Sequence, residues 1–322
     1  MNQARIHSSQ MKLAVLSVLV LAAASLYLTL NVNMKYLSFT MQLRAPKLAV
    51  MIITAFCIGG ASIIFQSIIN NTIVTPCLLG MNSLYSLIHT AVVFFLGSTS
   101  IVARNPNLSF AVDLLLMGAT ATLLYGWLFK KTRHNVLYVL LAGTVMSTFF
   151  SSIQTTLARV MDPNEYDSLL ASLVASFTNI NTNIILLSLA LIAVLIFALR
   201  RELALLDVIT LGKDQAVNLG VDYDRTIRRL LLGVTLFIAI ATAMVGPISF
   251  LGLIIANLAR QLFKTFRHSY LIAGSALVGM VILIGGQLAV EHIFTYSVPV
   301  SVFITVGGGI YFLILLLKAR RA

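Results

Sequence analysis

The sequence predicts an all-α polytopic membrane protein of about ten transmembrane helices, and three observations carry that prediction. Hydrophobic residues make up 59% of the 322 and charged residues only 10%, too oily a balance for a soluble globular chain. Apolar stretches near the length that crosses a bilayer recur from end to end. The short alternating segments of a β-barrel do not appear. The formal charge of +12 comes from basic residues clustered between the apolar stretches, the pattern of topology determinants and not of a nucleic-acid surface.

In chain order, the first expected span covers 13–30, behind a short basic start with Arg5 and Lys12. The alanines at 22–24 hint at a signal-peptide cleavage site, but the apolar run continues past them and predicts an uncleaved first helix. Further spans are expected at 48–69, 78–96, 108–129, 136–158, 183–199, 230–246, 248–262, 270–290 and 300–317. Cys57 and Cys77 have no metal-ligand spacing and read as packing residues. Placing the N-terminus in the cytoplasm puts seventeen of the 22 Lys and Arg on the inside, so both termini and the 200–229 stretch are expected to be cytoplasmic. With an even number of spans, two to five and seven to ten run in opposite senses, which permits an inverted repeat.

Local features follow the same order. Arg44 and Lys47 flank Pro46 on the outer side, where Pro46 predicts an extended turn just before span two. They are interfacial anchors or a basic patch that receives an acidic partner. The amide-rich break at 66–76 is either a plain turn or a packed cytoplasmic corner. His89 stands alone in span three and reads as a packed polar residue. Asp113 and Glu291 are placed near span ends, with no carboxylate relay across the membrane. In span five, Thr144, Thr148, Ser151 and Thr155 recur at helical spacing and give one hydroxyl-lined face, suited to lining a path or to packing helices. The apolar piece at 168–177 is too short to span and is expected along the outer surface.

The long polar interruption is 200–229, which holds five of the ten acidic residues. Asp207 and Asp214 are candidate helix N-caps, and Gly212 and Gly220 are natural helix stops. With a helical turn after Gly212, the residues Gly212, Ala216 and Gly220 form a strip without bulky side chains that a partner can approach closely. A charged run is commonly a solvated loop, but this punctuation favours a docking element.

Three stretches together resemble the permease subunits of cobalamin and iron-siderophore ABC importers. LRAPKLAVMIITAFCIGGASIIFQSIINNTIVTPCLLG is similar to that family's basic-Pro-basic entry, glycine-bearing second helix and Asn-x-x-x-x-Pro-x-x-Leu-Gly corner. LGKDQAVNLGVD is similar to its coupling segment, and VGPISFLGLIIANLAR to its Gly-Pro-Ile-x-Phe-x-Gly-Leu helix. The chain departs from the pattern at Ala256-Asn257, where Pro-His is usual, at Pro299-Val300-Ser301 and within Gly308-Gly309-Ile310. Gly286 and Val290 replace a usual Asp and Arg, which weakens transfer of a second docking arginine. The wording of the last third is closest to the ferric, catecholate-type siderophore branch.

The resemblance implies a single permease domain over 1–322 with type II ABC importer architecture and 200–229 as its cytoplasmic coupling loop. It implies an inner-membrane subunit without cofactors, paired with a second permease that is an identical copy or a paralogue. A separate ATPase is expected on the coupling loop at Gly212, Ala216 and Gly220. A substrate-binding protein is expected outside at Arg44 and Lys47, and a path along Thr144, Thr148, Ser151 and Thr155. The residues agree on energy supply: the chain has no GxxxxGK[ST] phosphate loop, and so is a transporter subunit and not an ATP-hydrolysing enzyme. The alternative, an ion-coupled secondary transporter, predicts a carboxylate in mid-span or a broken helix with an ion site.

Overall fold

A computed structural model describes residues 2–32, 34–131, 136–177, 182–295 and 298–319; Arg133, Arg320 and Arg321, counted above on the inside, lie outside them. The described chain runs through α1 (Asn2–Thr29), a 3-10 turn at Met34–Tyr36, α2 (Leu37–Ile69), a second at Pro76–Leu79, α3 (Met81–Leu96), α4 (Ile101–Arg104) and α5 (Pro106–Lys131). It continues with α6 (Val136–Val160), α7 (Pro163–Leu173), α8 (Thr182–Ala204), α9 (Leu206–Ile209), α10 (Lys213–Asn218) and α11 (Tyr223–Val245). The last three are α12 (Leu251–Phe263), α13 (His268–His292) and α14 (Val300–Ala319). Each of the ten expected spans coincides with one helix. Six, namely α1, α2, α5, α8, α11 and α13, are long and apolar enough over their described residues to cross a membrane.

Helix α2 is the axis of the bundle. Of its apolar window 78% is buried, against 11% in α1 and 17% in α8. A helix apolar all round is expected to be buried or lipid-facing, and the two outcomes are divided between these elements. Small residues set how closely α2 meets α13. A Cβ on Gly59 would lie 3.1 Å from the Ser275 backbone, and one on Gly279 would lie 3.1 Å from the Ala55 side chain. Without a hydrophobic drive between helices in lipid, such backbone approach supplies the contact.

Two expectations change. Helix α2 starts at Leu37, well ahead of 48, and carries Pro46 inside it, so Arg44 and Lys47 project from a helix and not from an extended turn. Pro46 withholds the usual donor from the Gln42 carbonyl, but α2 packs against α1 here and the helix persists. The 168–177 piece does not simply lie on the surface. Asp162 caps α7 by accepting from Asn164 N at 2.9 Å, Leu169 is buried against Val93 and Met161, and the chain then turns inward. Ser176 N–H donates to Val245 O at 3.0 Å, and Ala175 and Phe177 are buried.

Candidate functional site

The 200–229 stretch is a built element. Gly212, at φ +100°, opens α10, and Gly220, at φ +81°, closes it. Val221 N–H donates to Ala216 O at 3.0 Å and Gly220 N–H to Val217 O at 2.9 Å, the paired bonds of a Schellman stop that needs a left-handed residue. Asp222 then caps α11 by accepting from Arg225 N at 3.1 Å. Glu202 and Arg229 pair across the base of the loop, and Lys213 pairs with Asp224 at 3.2 Å.

The expected small-residue strip does not form one face. Helix α10 ends at Asn218, so Gly220 stands beyond it, and a helix of six residues cannot hold an i, i+8 row. Ala216 is fully buried and joins Leu206 and Ile209 in the core. What the loop presents outward is Leu211, Val217 and Leu219, at 53%, 51% and 64% exposure, beside the exposed glycines. Asp207 and Asp214 are not N-caps either: Leu205 and Gly212 occupy those positions, and Asp207 reaches across to His268.

At the same end of the bundle, the amide-rich break is a packed corner. Asn70 ends α2 in the left-handed conformation. Gln66 Nε2 donates to Thr72 O at 2.7 Å and Asn257 Nδ2 to the same oxygen at 2.9 Å. Arg260 Nε donates to Gln66 Oε1 at 3.1 Å. Asn257, a departure from the family pattern, therefore serves the corner directly.

Thr144, Thr148, Ser151 and Thr155 are all exposed along α6. Thr148 and Thr155 donate to carbonyls one turn back, at 3.0 and 2.8 Å, so their hydroxyl oxygens face outward as acceptors. Ser151 donates to Ser83 Oγ of α3 at 3.2 Å, so the face packs in part against a neighbouring helix. Thr148, Ser151, Ser152, Thr155, Thr156, Arg159 and Val160 line an open groove of about 570 Å³. Thr144 lies beyond its lining. Arg159, at one end, was missed in the sequence because a single terminal arginine resembles any topology charge.

At the opposite end of the bundle from the loop, Arg44 and Lys47 are half-buried. Arg44 donates to Tyr27 O and Leu30 O, both at 2.8 Å, closing the end of α1 as a C-terminal basic residue does. Its guanidinium lies over the Tyr27 ring. Tyr27 OH in turn donates to Glu291 Oε1 at 3.0 Å. His89 is not a lone polar residue. Its Nδ1 is 3.0 Å from Asp113 Oδ2, with Asp113 buried and His89 partly so, and Tyr85 stacks on its ring. Asp113 is thus an interior partner. Among the described residues no group of three His, Cys, Asp or Glu is placed to hold a metal ion.

Residues 9–318 match the model of the FecCD transport family. The chain belongs to the FecCD transport family. It is 40% identical to the petrobactin import system permease protein YclO of Bacillus subtilis, over 98% of this chain and 99% of the relative. It is 35% identical to the petrobactin import system permease protein FatC of Bacillus anthracis, over 86% of this chain and 78% of that one. The fold is similar to that of a solved structure described as an inward-facing conformation of a metal-chelate type ABC transporter, with a TM-score of 0.79 at 22% identity, covering 96% of this chain and 99% of that one. This FecCD chain is therefore a membrane transport subunit and not an enzyme.

Proposed function

We propose that this chain is the permease subunit of an ABC importer that carries a ferric siderophore of the petrobactin class inward across the cytoplasmic membrane. The observation that carries the reading is the end-to-end similarity to a petrobactin import permease. The loop with Leu211, Val217 and Leu219 outward receives an ATPase, while Gly212, Ala216 and Gly220 shape and seat it. By the inside-positive rule this end and both termini are cytoplasmic. Arg44 and Lys47, at the other end, meet an extracytoplasmic binding protein. A second permease subunit, identical or paralogous, completes the path.

The groove on α6 supports the choice of cargo. Catecholate and carboxylate ligands give up protons to bind ferric iron, so such chelates are polar and anionic. The groove offers hydroxyls, with one cation at its end and no carboxylate in its lining. Neutral hydroxyls let such a cargo pass without a deep well, and Arg159 favours its sign. Uptake of iron-55 petrobactin by cells carrying the importer tests the assignment. Wild type restores uptake to a deletion strain, and Val217→Asp with Leu219→Asp abolishes both uptake and co-purification of the ATPase. Full uptake in the deletion strain without this chain overturns the cargo, and undiminished co-purification overturns the loop's role.

A further inference from the structure

Asp207 lies in α9, the first short helix of the loop, and ties that helix to the bundle by hydrogen bonds. Its Oδ1 accepts from the backbone N–H of His268 at 2.9 Å and also meets the His268 ring at Nδ1. His268 is the first residue of α13 and is 4% exposed. Its Nε2 lies 2.8 Å from Ser67 Oγ in the last turn of α2. Ser67 Oγ accepts from Arg260 of α12 at 3.1 Å and donates to Ile63 O at 2.8 Å. Arg260 in turn holds Gln66, and Gln66 holds Thr72. An unbroken chain of hydrogen bonds therefore runs from α9 to the ends of α13, α2 and α12 and into the packed corner.

The remaining contacts of α9 are apolar, through Leu206 and Ile209, while α10 is held by buried Ala216 and by the exposed Lys213–Asp224 pair. Apolar contact is non-directional and tolerates sliding, whereas hydrogen bonds hold only in a narrow range of distance and angle. Two bonds converging on one oxygen fix the position of α9 relative to the start of α13. The link also spans a hinge. Leu205 alone joins α8 to α9, and Gly212 at a left-handed φ joins α9 to α10. We propose that Asp207, His268 and Ser67 form the joint that passes displacement of the loop to the ends of α2, α12 and α13. They are positioning residues for transport, and this rests on the reading of the loop as the seat of the ATPase.

A plain structural role makes Asp207 only a cap for the N-terminus of α13, whose own N-cap residue, Arg267, makes no side-chain cap bond. The two roles separate at Ser67, which touches the joint and not the cap. The experiment uses the full complex in proteoliposomes, with ATPase and binding protein, and reads siderophore imported per ATP hydrolysed. Asp207→Ala and Ser67→Ala should each leave the ATPase bound and hydrolysing while lowering that ratio about tenfold, the scale of one hydrogen bond to a charged group. Asp207→Asn, which keeps an oxygen acceptor, should recover most of it. A wild-type ratio in Ser67→Ala, or in Asp207→Ala with the complex intact, overturns the joint. An ATPase that stays bound to Val217→Asp with Leu219→Asp overturns instead the reading on which the joint rests.

Discussion

His89 and Asp113 lie on different membrane helices and meet inside the bundle, where removal of one partner strands the other. Leaving a buried polar group without its hydrogen-bond partner costs about 1–3 kcal/mol, whereas replacing both members by apolar residues of similar shape can be nearly neutral. Asp113→Ala should therefore lower the Tm of the detergent-purified subunit markedly, and His89→Leu with Asp113→Leu should return most of the loss. Equal losses in the single and double variants would show that the pair contributes nothing beyond shape. At Gly220 the prediction rests on backbone alone. A residue with a Cβ held in the left-handed region costs about 1–2 kcal/mol, and a Cβ here meets nothing within 4 Å. Gly220→Val should thus loosen the loop, read as faster proteolysis within 200–229, without a steric clash. The two sites differ in how visible they were beforehand. Gly220 announced its turn in the sequence, because the left-handed stop is a local property of the chain. The partner of His89 is non-local and no spacing rule reaches it.

Among the elements, the ten helices that coincide with expected spans were legible because a bilayer dictates their apolar character and, for six of them, their length. The start of α2 was not. Pro46 argued for an extended approach, but the early turns of α2 are held by Arg44 on the end of α1, a contact of tertiary origin. The loop was half legible. Its glycine punctuation was readable, but which side of α10 faces inward depends on the bundle beneath it, and the core took Ala216. The closeness of α2 and α13 yields a prediction of its own. A Cβ on Gly59 would sit 3.0 Å from Ser275 Oγ and 3.1 Å from Ser275 backbone carbon. Backbone cannot rotate away as a side chain can, so overpacking here should cost about 1–3 kcal/mol or more. Gly59→Leu should reduce both membrane yield and Tm, while Gly60→Ala, with its nearest neighbour at 3.7 Å, should be tolerated. Equal tolerance of the two would remove α2 from its place as the tightly packed axis.

At the scale of the whole molecule, the basic pair opposite the loop has two jobs that charge reversal can separate. Arg44 closes α1 through the Tyr27 and Leu30 carbonyls, and Tyr27 holds Glu291 of α13. Arg44→Glu therefore places an anion against the carbonyl end of a helix and near a second carboxylate, which disfavours the fold itself. Lys47 lies one turn further along α2. If both residues meet acidic groups on a binding protein, each exposed ion pair is worth about 0–1 kcal/mol, less than roughly a fivefold change in Kd. Lys47→Glu should then weaken association by a modest factor of that order in low salt and lose its effect at about 1 M salt, where the Debye length is near 3 Å. Arg44→Glu should weaken association too, but with a fall in Tm that no acidic-to-basic swap on the binding protein restores. Such a swap should restore association for Lys47→Glu. Unchanged affinity and unchanged salt dependence in Lys47→Glu would leave this end of the bundle with a structural clamp and no docking charge.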